Sequence, residues 1–262
     1  MMTSLWSAAS GMLAQELNMD VISNNLANVD TGGFKKSRVD FQDLIYQTKS
    51  IAGATNTAGA SAPIGLQVGN GVKAVGTQKI ATTGEMKQTD SDFDIAIQGK
   101  GYFQILMPDG SMAYTKNGSF KKSGTGELVT ADGYTLQPSI VIPPEANKIS
   151  IGSDGTVSMT VGNENTSETI GNIETVRFVN TAGLTNIGKN YVKRTSVSGD
   201  AEIGTPGANG FGGLAQGMLE TSNVKVVEEM VNMITAQRAY EINTKSIQTS
   251  DTMLQLANNL KR

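Results

Sequence analysis

Residues 219–254 read LETSNVKVVEEMVNMITAQRAYEINTKSIQTSDTML, and an apolar side chain returns at every seventh position. The repeating positions are Leu219, Val226, Met233, Tyr240, Ile247 and Leu254. Because no Gly or Pro follows Gly217, the spacing predicts one long helix from about residue 216 to residue 260. A seven-residue repeat over this length favours a seam against another helix, the alternative being a helix packed on its own globular domain.

A matching apolar stripe occurs at the other end of the chain. Its members are Leu5, Met12, Met19 and Leu26. Residues 4–28 contain no Pro and a single Gly, so the stripe predicts an N-terminal helix. Isolated helices are marginal in water, and each stripe therefore needs the other helix or a neighbouring copy of the chain. We predict that residues 1–45 and 216–262 form one discontinuous, coiled-coil-like helical domain whose stripe residues are subunit contacts.

The middle of the chain has the pattern of β-structure. Three turns that tolerate positive φ stand between β-branched or aromatic runs, and each predicts a hairpin. These turns are Pro108–Gly110, Ala131–Gly133 and Gly152–Gly155. Apolar residues alternate over 93–97 as in a half-buried strand, and further strands are expected near 173–180 and 190–197. The sequence thus predicts a β-rich domain at residues 76–215, inserted between the two helical segments.

The segment between the first helix and the β-rich domain is small and polar. Residues 52–62 consist only of Ala, Gly, Thr, Asn and Ser, without an apolar period. We predict that residues 46–75 form an extended arm or linker that a partner must order. The predicted fold class is therefore α+β, with long terminal helices, an inserted β-rich domain and an extended arm.

Composition excludes several kinds of chemistry. The chain of 262 residues has no Cys and no His, so it offers no thiol nucleophile, no disulfide and no imidazole base. Zinc and iron sites also depend largely on these two residue types. A net charge of −3 and 5% aromatic residues give neither the basic footprint nor the stacking surfaces of a nucleic-acid-binding protein. We therefore expect no nucleic-acid partner.

The hydrophobic pattern also bears on membranes and export. No run approaches the roughly 20 apolar residues of a membrane span, so we expect no direct membrane insertion. The first basic residue is Lys35, and the N-terminus thus lacks the positive region of a secretory signal. We expect no cleaved signal peptide.

Two glycine motifs resemble nucleotide-binding loops but depart from them. Residues 183–190 nearly match a phosphate-binding P-loop, yet Asn190 stands where Ser or Thr should ligate magnesium. A strand, and not a helix, is predicted to follow at residues 191–197. Residues 69–74 form a loose dinucleotide fingerprint without a βαβ unit around it. Both are interpreted as turns, and no cofactor is expected.

Charged clusters are interpreted as solvated surface. Asp90, Asp92 and Asp94 are spaced like the first ligands of a calcium loop, but the sixth and twelfth positions lack the required Gly and Glu. The basic cluster at residues 35–38 has the character of ordinary surface charge. We predict no metal site and no catalytic residue.

A distinctive motif ends the first helix. Its members are Asn24, Asn25, Leu26, Asn28, Thr31, Gly33 and Phe34. In physical terms, its Asn and Gly residues supply side-chain caps and positive φ where the helix stops, and Phe34 anchors the departing chain. The motif resembles the N-terminal signature of the bacterial flagellar rod and hook proteins. Further segments resemble that family in the expected order, namely residues 94–103, 113–120, 128–134, 216–224 and 231–241.

The resemblance implies a structural subunit that polymerises with copies of itself into a helical tube, transmits torque to the hook and encloses an export channel. It also implies neighbours: proximal rod proteins, the hook protein, the periplasmic and outer-membrane ring bushings, and the flagellar export apparatus. The implied location is the flagellar basal body, spanning the periplasm. Residues 63–72 and the chain length favour the distal rod within the family, with a proximal rod or hook-type subunit as the alternative.

A rival from a different class is a β-rich carbohydrate-binding or adhesin-like module with helical stalks. Such a module needs an aromatic platform for sugar rings. The chain has one Trp, and Trp6 lies in the predicted N-terminal helix and not in the β-rich domain. The family resemblance is therefore preferred.

Overall fold

A computed structural model describes residues 2–51, 63–161 and 167–259 of the chain. Helix α1 (Met2–Ala27) lies near the N-terminus of the sequence and helix α2 (Val226–Asn259) near its C-terminus. The described residues between them form strands and turns, with a short 3-10 helix at Thr181–Gly183. This arrangement confirms the predicted α+β class with terminal helices and a β-rich middle. No helix in these ranges is apolar enough over a sufficient length to cross a membrane.

The strands are short. In chain order, the earlier ones are β1 (Ser37–Asp43), β2 (Tyr46–Ser50), β3 (Leu66–Gly69), β4 (Val72–Lys79), β5 (Met86–Gln88), β6 (Ile95–Gln98), β7 (Phe103–Leu106), β8 (Met112–Thr115), β9 (Phe120–Lys122) and β10 (Leu128–Thr130). The later ones are β11 (Thr135–Gln137), β12 (Ala146–Ile151), β13 (Thr156–Val161), β14 (Ser167–Asn172), β15 (Thr175–Arg177), β16 (Thr185–Gly188), β17 (Tyr191–Lys193), β18 (Glu202–Gly204), β19 (Gly213–Gln216) and β20 (Met218–Glu220).

The chain divides into two compact units. The first contains α1 up to Leu26, residues 37–78 and α2, and the second contains residues 27–36 and 79–225. In the first unit β1 pairs with β4, and β2 pairs antiparallel with β3. Because β2 and β3 stand on either side of residues 52–62, the two ends of the predicted arm form a ribbon that the sequence did not indicate. Residues 72–75 of the predicted arm belong to β4, and residues 52–62 lie outside the described residues.

Strands of several sheets build the core of the second unit. A seven-stranded antiparallel sheet has the order β16-β17-β8-β7-β11-β10-β9, and a three-stranded sheet has the order β12-β13-β14. Ile95, Phe103 and Phe120 are buried in one apolar cluster to which both sheets contribute. The rings of Phe103 and Phe120 meet edge to face, with centroids 5.1 Å apart. Burying one such side chain contributes about 1.5–3 kcal/mol, so this cluster is what stabilises the unit.

The three predicted hairpins are confirmed. β7 pairs with β8, β10 with β11, and β12 with β13, all antiparallel. Their turns contain Gly110, Gly133 and Gly155 at φ of +76°, +84° and +89°, a region that residues with a Cβ avoid. The strands expected near residues 173–180 and 190–197 are β15 and β17.

Strand β6 differs from its predicted half-buried state. Ile95, Ala96 and Ile97 are all buried, so both faces of the strand are covered. The small side chain of Ala96, at the middle position, fits beneath the residues that cover this second face. The alternation of apolar residues therefore reported the strand correctly but underestimated its burial.

The predicted start of the C-terminal helix near residue 216 is wrong, because α2 begins at Val226. Leu219 lies in β20, where it stands opposite Lys87 of β5. Gly217 has a φ of +68°, which turns the chain, and the Glu220 side chain is buried. The pairing with β5, the turn at Gly217 and the burial of Glu220 together hold the segment as a strand. Leu219 therefore belongs to a sheet of the second unit and not to a helical seam.

Candidate functional site

The two terminal helices pack on each other within one chain. Thr244 Oγ1 of α2 lies 3.4 Å from Met12 Sδ of α1, with the hydroxyl donating. Near the end of α1, Asn25 Nδ2 donates to Glu229 Oε2 at 3.4 Å. Contact positions that advance along α1 recede along α2, so the helices run antiparallel. Part of each apolar stripe is therefore covered by the chain itself.

One glycine of α1 lies directly against α2. A Cβ added at Gly11 would stand 2.9 Å from Asn243 Nδ2, closer than ordinary contact. Small buried side chains of α1 and α2 accompany this approach, namely Ala8, Ala14 and Ala236. The absence of bulk at these positions lets the helices come close.

The predicted stripe residues mostly occupy the sides of the helices that face each other. Met233 and Ile247 are half-buried, on the same side of α2 as the buried Glu229 and Ala236. The more exposed members of the α2 stripe are Val226, Tyr240 and Leu254. The α1 members, all half-buried, are Leu5, Met12, Met19 and Leu26. Their role as subunit contacts stays a prediction.

A second apolar stripe of α2 points away from α1 and is exposed. Its members are Val227, Met230, Val231 and Ile234. Val227 is 75% exposed and Ile234 is 55% exposed. Sequence reasoning did not separate this stripe from the seam, because the seven-residue count follows a single line of residues. The signal was the apolar residue directly after each of two stripe members, Val226 and Met233.

Helix α1 also has an exposed apolar side. Trp6 and Leu13 are 73% and 68% exposed, and Leu17, one turn further, is partly exposed. These positions lie seven and four residues apart and therefore share one side of the helix. Contiguous exposed apolar surface of this kind marks a site of interaction. We call the exposed stripes of α1 and α2 together the outer apolar faces.

Asn25 of the signature motif ties three elements of the first unit together. Its amide Nδ2 donates to Ser37 O at 2.9 Å, and Ser37 N–H donates back to Asn25 Oδ1 at 2.8 Å. The same Nδ2 reaches Glu229 Oε2 of α2. A buried amide with this many partners is expensive to replace, because any apolar substitute leaves them unpaired.

The rest of the motif forms a tight turn. Thr31 Oγ1 lies 3.2 Å from Asn28 Oδ1, and Phe34 N–H donates to Thr31 O at 3.2 Å. Gly33 has a φ of +70°, and the buried Phe34 ring lies under the Lys79 ammonium at 5.6 Å. The turn thus fixes the direction in which the chain leaves α1. The two remaining motif members are the exposed Asn24 and the half-buried Leu26.

Lys35 directly follows this turn and is buried, so its interpretation as surface charge is wrong. Its ammonium forms an ion pair with Glu220 and donates to Thr82 O at 2.7 Å. Lys116 Nζ lies 3.3 Å from the other carboxylate oxygen of Glu220 and donates to Gly99 O at 2.7 Å. Burial lowers the pKa of Lys116, although the Glu220 carboxylate opposes that shift. We call Lys35, Lys116 and Glu220 the ion cluster.

The motifs considered as ligand sites have structural roles here. Asn190, at the magnesium position of the P-loop pattern, donates from its Nδ2 to Gly32 O at 3.1 Å. Strands β16 and β17 surround that turn, without the helix that a phosphate loop needs. Within the described ranges, no group of three or more acidic side chains could hold a metal ion. This statement covers Asp90, Asp92 and Asp94.

Three family descriptions match successive parts of the chain. Residues 5–35 match "Flagella basal body rod protein", residues 96–159 match "Flagellar hook protein FlgE/F/G D1 domain" and residues 215–260 match "Flagellar basal body rod FlgEFG protein C-terminal". The flagellar basal-body rod protein FlgG of Borreliella burgdorferi is 53% identical over 264 residues and 100% of both chains. The chain belongs to the FlgG family of flagellar basal-body rod proteins.

Other FlgG relatives agree over the same length. FlgG of Buchnera aphidicola subsp. Schizaphis graminum is 51% identical, over 97% of this chain and 98% of its own. FlgG of Caulobacter vibrioides is 48% identical, over 99% of this chain and 100% of its own. As a FlgG-family member the chain is a structural component of the flagellar basal body and not an enzyme. The matched regions contain α2, all of α1 from residue 5 onward and all three residues of the ion cluster.

Proposed function

We propose that this chain is a subunit of the distal rod and polymerises with copies of itself into a helical tube that transmits torque to the hook. The observation that carries the proposal is the pair of outer apolar faces, which stay exposed after α1 and α2 have packed on each other. A neighbouring copy that covers them removes this apolar surface from water. A contact between different faces that does not close grows a filament instead of a ring.

The size of these faces suits assembly. Burying the exposed part of a side chain such as Ile234 contributes about 1 kcal/mol. The faces hold several side chains exposed to this extent or more, among them Trp6, Leu13 and Val227. Since each 1.4 kcal/mol changes an equilibrium about tenfold, covering both faces can drive association at low concentration.

The finer parts of the proposal concern neighbours and place. The family groups rod and hook proteins, so we propose proximal rod proteins and the hook protein as neighbours along the axis. The periplasmic and outer-membrane ring bushings would surround the tube where it spans the periplasm. The flagellar export apparatus would deliver the subunits. Terminal segments that are only partly ordered during export would then complete their packing on assembly.

The predicted arm has a part in this proposal. The ribbon of β2 and β3 carries exposed apolar side chains at Tyr46 and Leu66, and Ile45 beside it is 83% exposed. An isolated two-stranded ribbon is marginal in water. We propose that residues 47–71 pack against neighbouring copies and stiffen the rod.

The test is sedimentation and electron microscopy of the full chain over rising concentration. The comparison is a double variant, Leu13→Asp with Ile234→Asp, which charges both outer apolar faces without touching the packed sides. We expect long polymers from the wild type alone, with equal helix content in both proteins by circular dichroism. Equal polymerisation of the double variant would count against the proposal, as would a wild-type chain that stays monomeric at every concentration.

A further inference from the structure

Distant parts of the chain converge on the ion cluster of the second unit. Lys35, Lys116 and Glu220 come from the three separate regions that match the family descriptions. Their side chains are 7%, 4% and 0% exposed. A cluster of three charged groups buried this completely is costly to build, so its position in the fold calls for a physical explanation.

The cluster joins the segment that follows α1 to the segment that precedes α2, and both segments belong to the second unit. We call residues 31–36 the incoming segment and residues 218–224 the outgoing segment. Gly33 N–H donates to Glu220 O at 2.8 Å, and Lys36 N–H donates to Asn223 Oδ1 at 2.7 Å. The Lys35–Glu220 ion pair joins the same two segments through buried side chains. The two segments are therefore held side by side.

The two lysines of the cluster have different attachments. Lys35 is part of the incoming segment, and its ammonium links Glu220 to Thr82 O. Lys116 follows β8, and its ammonium links Glu220 to Gly99 O. Both donate to the same carboxylate, yet only Lys35 connects the incoming to the outgoing segment.

The charge balance and the burial of the cluster determine what removing one lysine does. Two ammonium groups share one carboxylate, so removing either lysine leaves one neutral buried pair and adds no unpaired charge. Because the groups are buried, salt screens them much less than it screens surface ion pairs. Gly84 N–H adds a further bond to Glu220 Oε1 at 2.9 Å, which holds the carboxylate in place.

We infer that the Lys35–Glu220 ion pair is a clamp that holds the incoming and outgoing segments together, with Lys116 as a positioning residue for the carboxylate. The incoming segment follows α1 and the outgoing segment precedes α2, so a force on either helix passes along the chain into one of these two segments. In that respect the inference rests on the proposed function. The clamp itself is a property of the monomer and is tested there.

The experiment is hydrogen exchange with mass spectrometry on the monomeric full chain, comparing Lys35→Met with Lys116→Met. Both variants keep the side-chain stem, lose one ammonium and retain one neutral pair. Hydrogen bonds to charged groups are worth enough to change opening about 10- to 100-fold. Lys35→Met is therefore expected to speed exchange by about 10- to 100-fold in the incoming and outgoing segments. Lys116→Met is expected to change these segments less than about threefold, and to act instead at residues 98–101.

The control variant is Lys121→Met, which removes an exposed lysine of β9 and should leave exchange unchanged everywhere. Similar exchange in the incoming and outgoing segments of Lys35→Met and Lys116→Met would overturn the clamp. A uniform rise that includes β7, or loss of the fold by circular dichroism in Lys35→Met alone, would overturn it too, because Lys35 would then act on stability as a whole. Since every reading is on the monomer, failure of polymerisation would bear on the proposed function and not on the clamp.

Discussion

Replacing Gly33 by Ala should destabilise the second unit, whereas the same change at Gly32 should not. Gly33 has a φ of +70°, and this left-handed conformation costs a residue with a Cβ about 1–2 kcal/mol. The added Cβ would also stand 2.7 Å from the backbone N of Asn117. A backbone atom cannot rotate away, so Gly33 must shift, and the 2.8 Å bond from its N–H to Glu220 O must lengthen.

The magnitude follows from these three effects. The conformation costs about 1–2 kcal/mol, and the strained contact and the weakened hydrogen bond cost about 1 kcal/mol each or less. The total is about 1–4 kcal/mol, and each kcal/mol lowers Tm by about 2–4 °C in a protein of this size. A fall of about 2–16 °C is therefore expected. At Gly32, where φ is not positive, an added Cβ meets nothing closer than 3.5 Å, so the change should stay within about 0.5 kcal/mol.

The assay is thermal unfolding of both variants by circular dichroism, at a concentration where all proteins are monomeric. Urea unfolding at fixed temperature gives the free energy independently of Tm. The reasoning is refuted if Gly33→Ala unfolds with the wild type, or if Gly32→Ala loses as much stability as Gly33→Ala.

Four further changes test other parts of the account. Met233→Asp and Ile247→Asp put a carboxylate on the half-buried side of α2, so both should block polymerisation and lower helix content, and sedimentation at the wild-type level would contradict this. Removing residues 47–71 should give polymers that bend more in electron micrographs, and unaltered straight polymers would argue against a stiffening arm. The Lys189 hydrogen bond lowers the pKa of Asp132, so its stabilisation is present above the ordinary value of 3.8 and is lost as pH falls through the lowered pKa. Asp132→Asn should flatten the acid side of the stability–pH curve, and an unchanged curve would disprove the assignment.

The hairpins and the terminal helices could be predicted from local sequence patterns. The hairpin turns contain Gly110, Gly133 and Gly155 at positive φ. A Gly between two β-branched or aromatic runs is a signal that the sequence alone provides. The terminal helices have a long apolar period without Gly or Pro. The same period misplaced the start of α2, because Leu219 satisfies it by spacing while its pairing with Lys87 of β5 makes it a strand residue.

Long-range contacts decided what the sequence could not show. Lys35 sits in a run of basic residues typical of a surface, and its partner Glu220 is 185 positions away. Asn25 meets Glu229 across 204 positions. The sequence could not separate the outer apolar faces from the packed sides for a related reason, since only the antiparallel pairing of α1 and α2 shows which side of each helix remains exposed.

The most direct test of assembly through the outer apolar faces is thiol accessibility in the polymer. The chain contains no Cys, so one introduced thiol reports on one position. Ile234→Cys places it on the exposed side of α2, and Lys121→Cys places it on exposed β9 as a check that the reagent reaches the polymer. The account predicts that polymerisation protects the thiol at position 234 from alkylation while the thiol at position 121 stays reactive. A thiol at position 234 that reacts as fast in the polymer as in the monomer would contradict it.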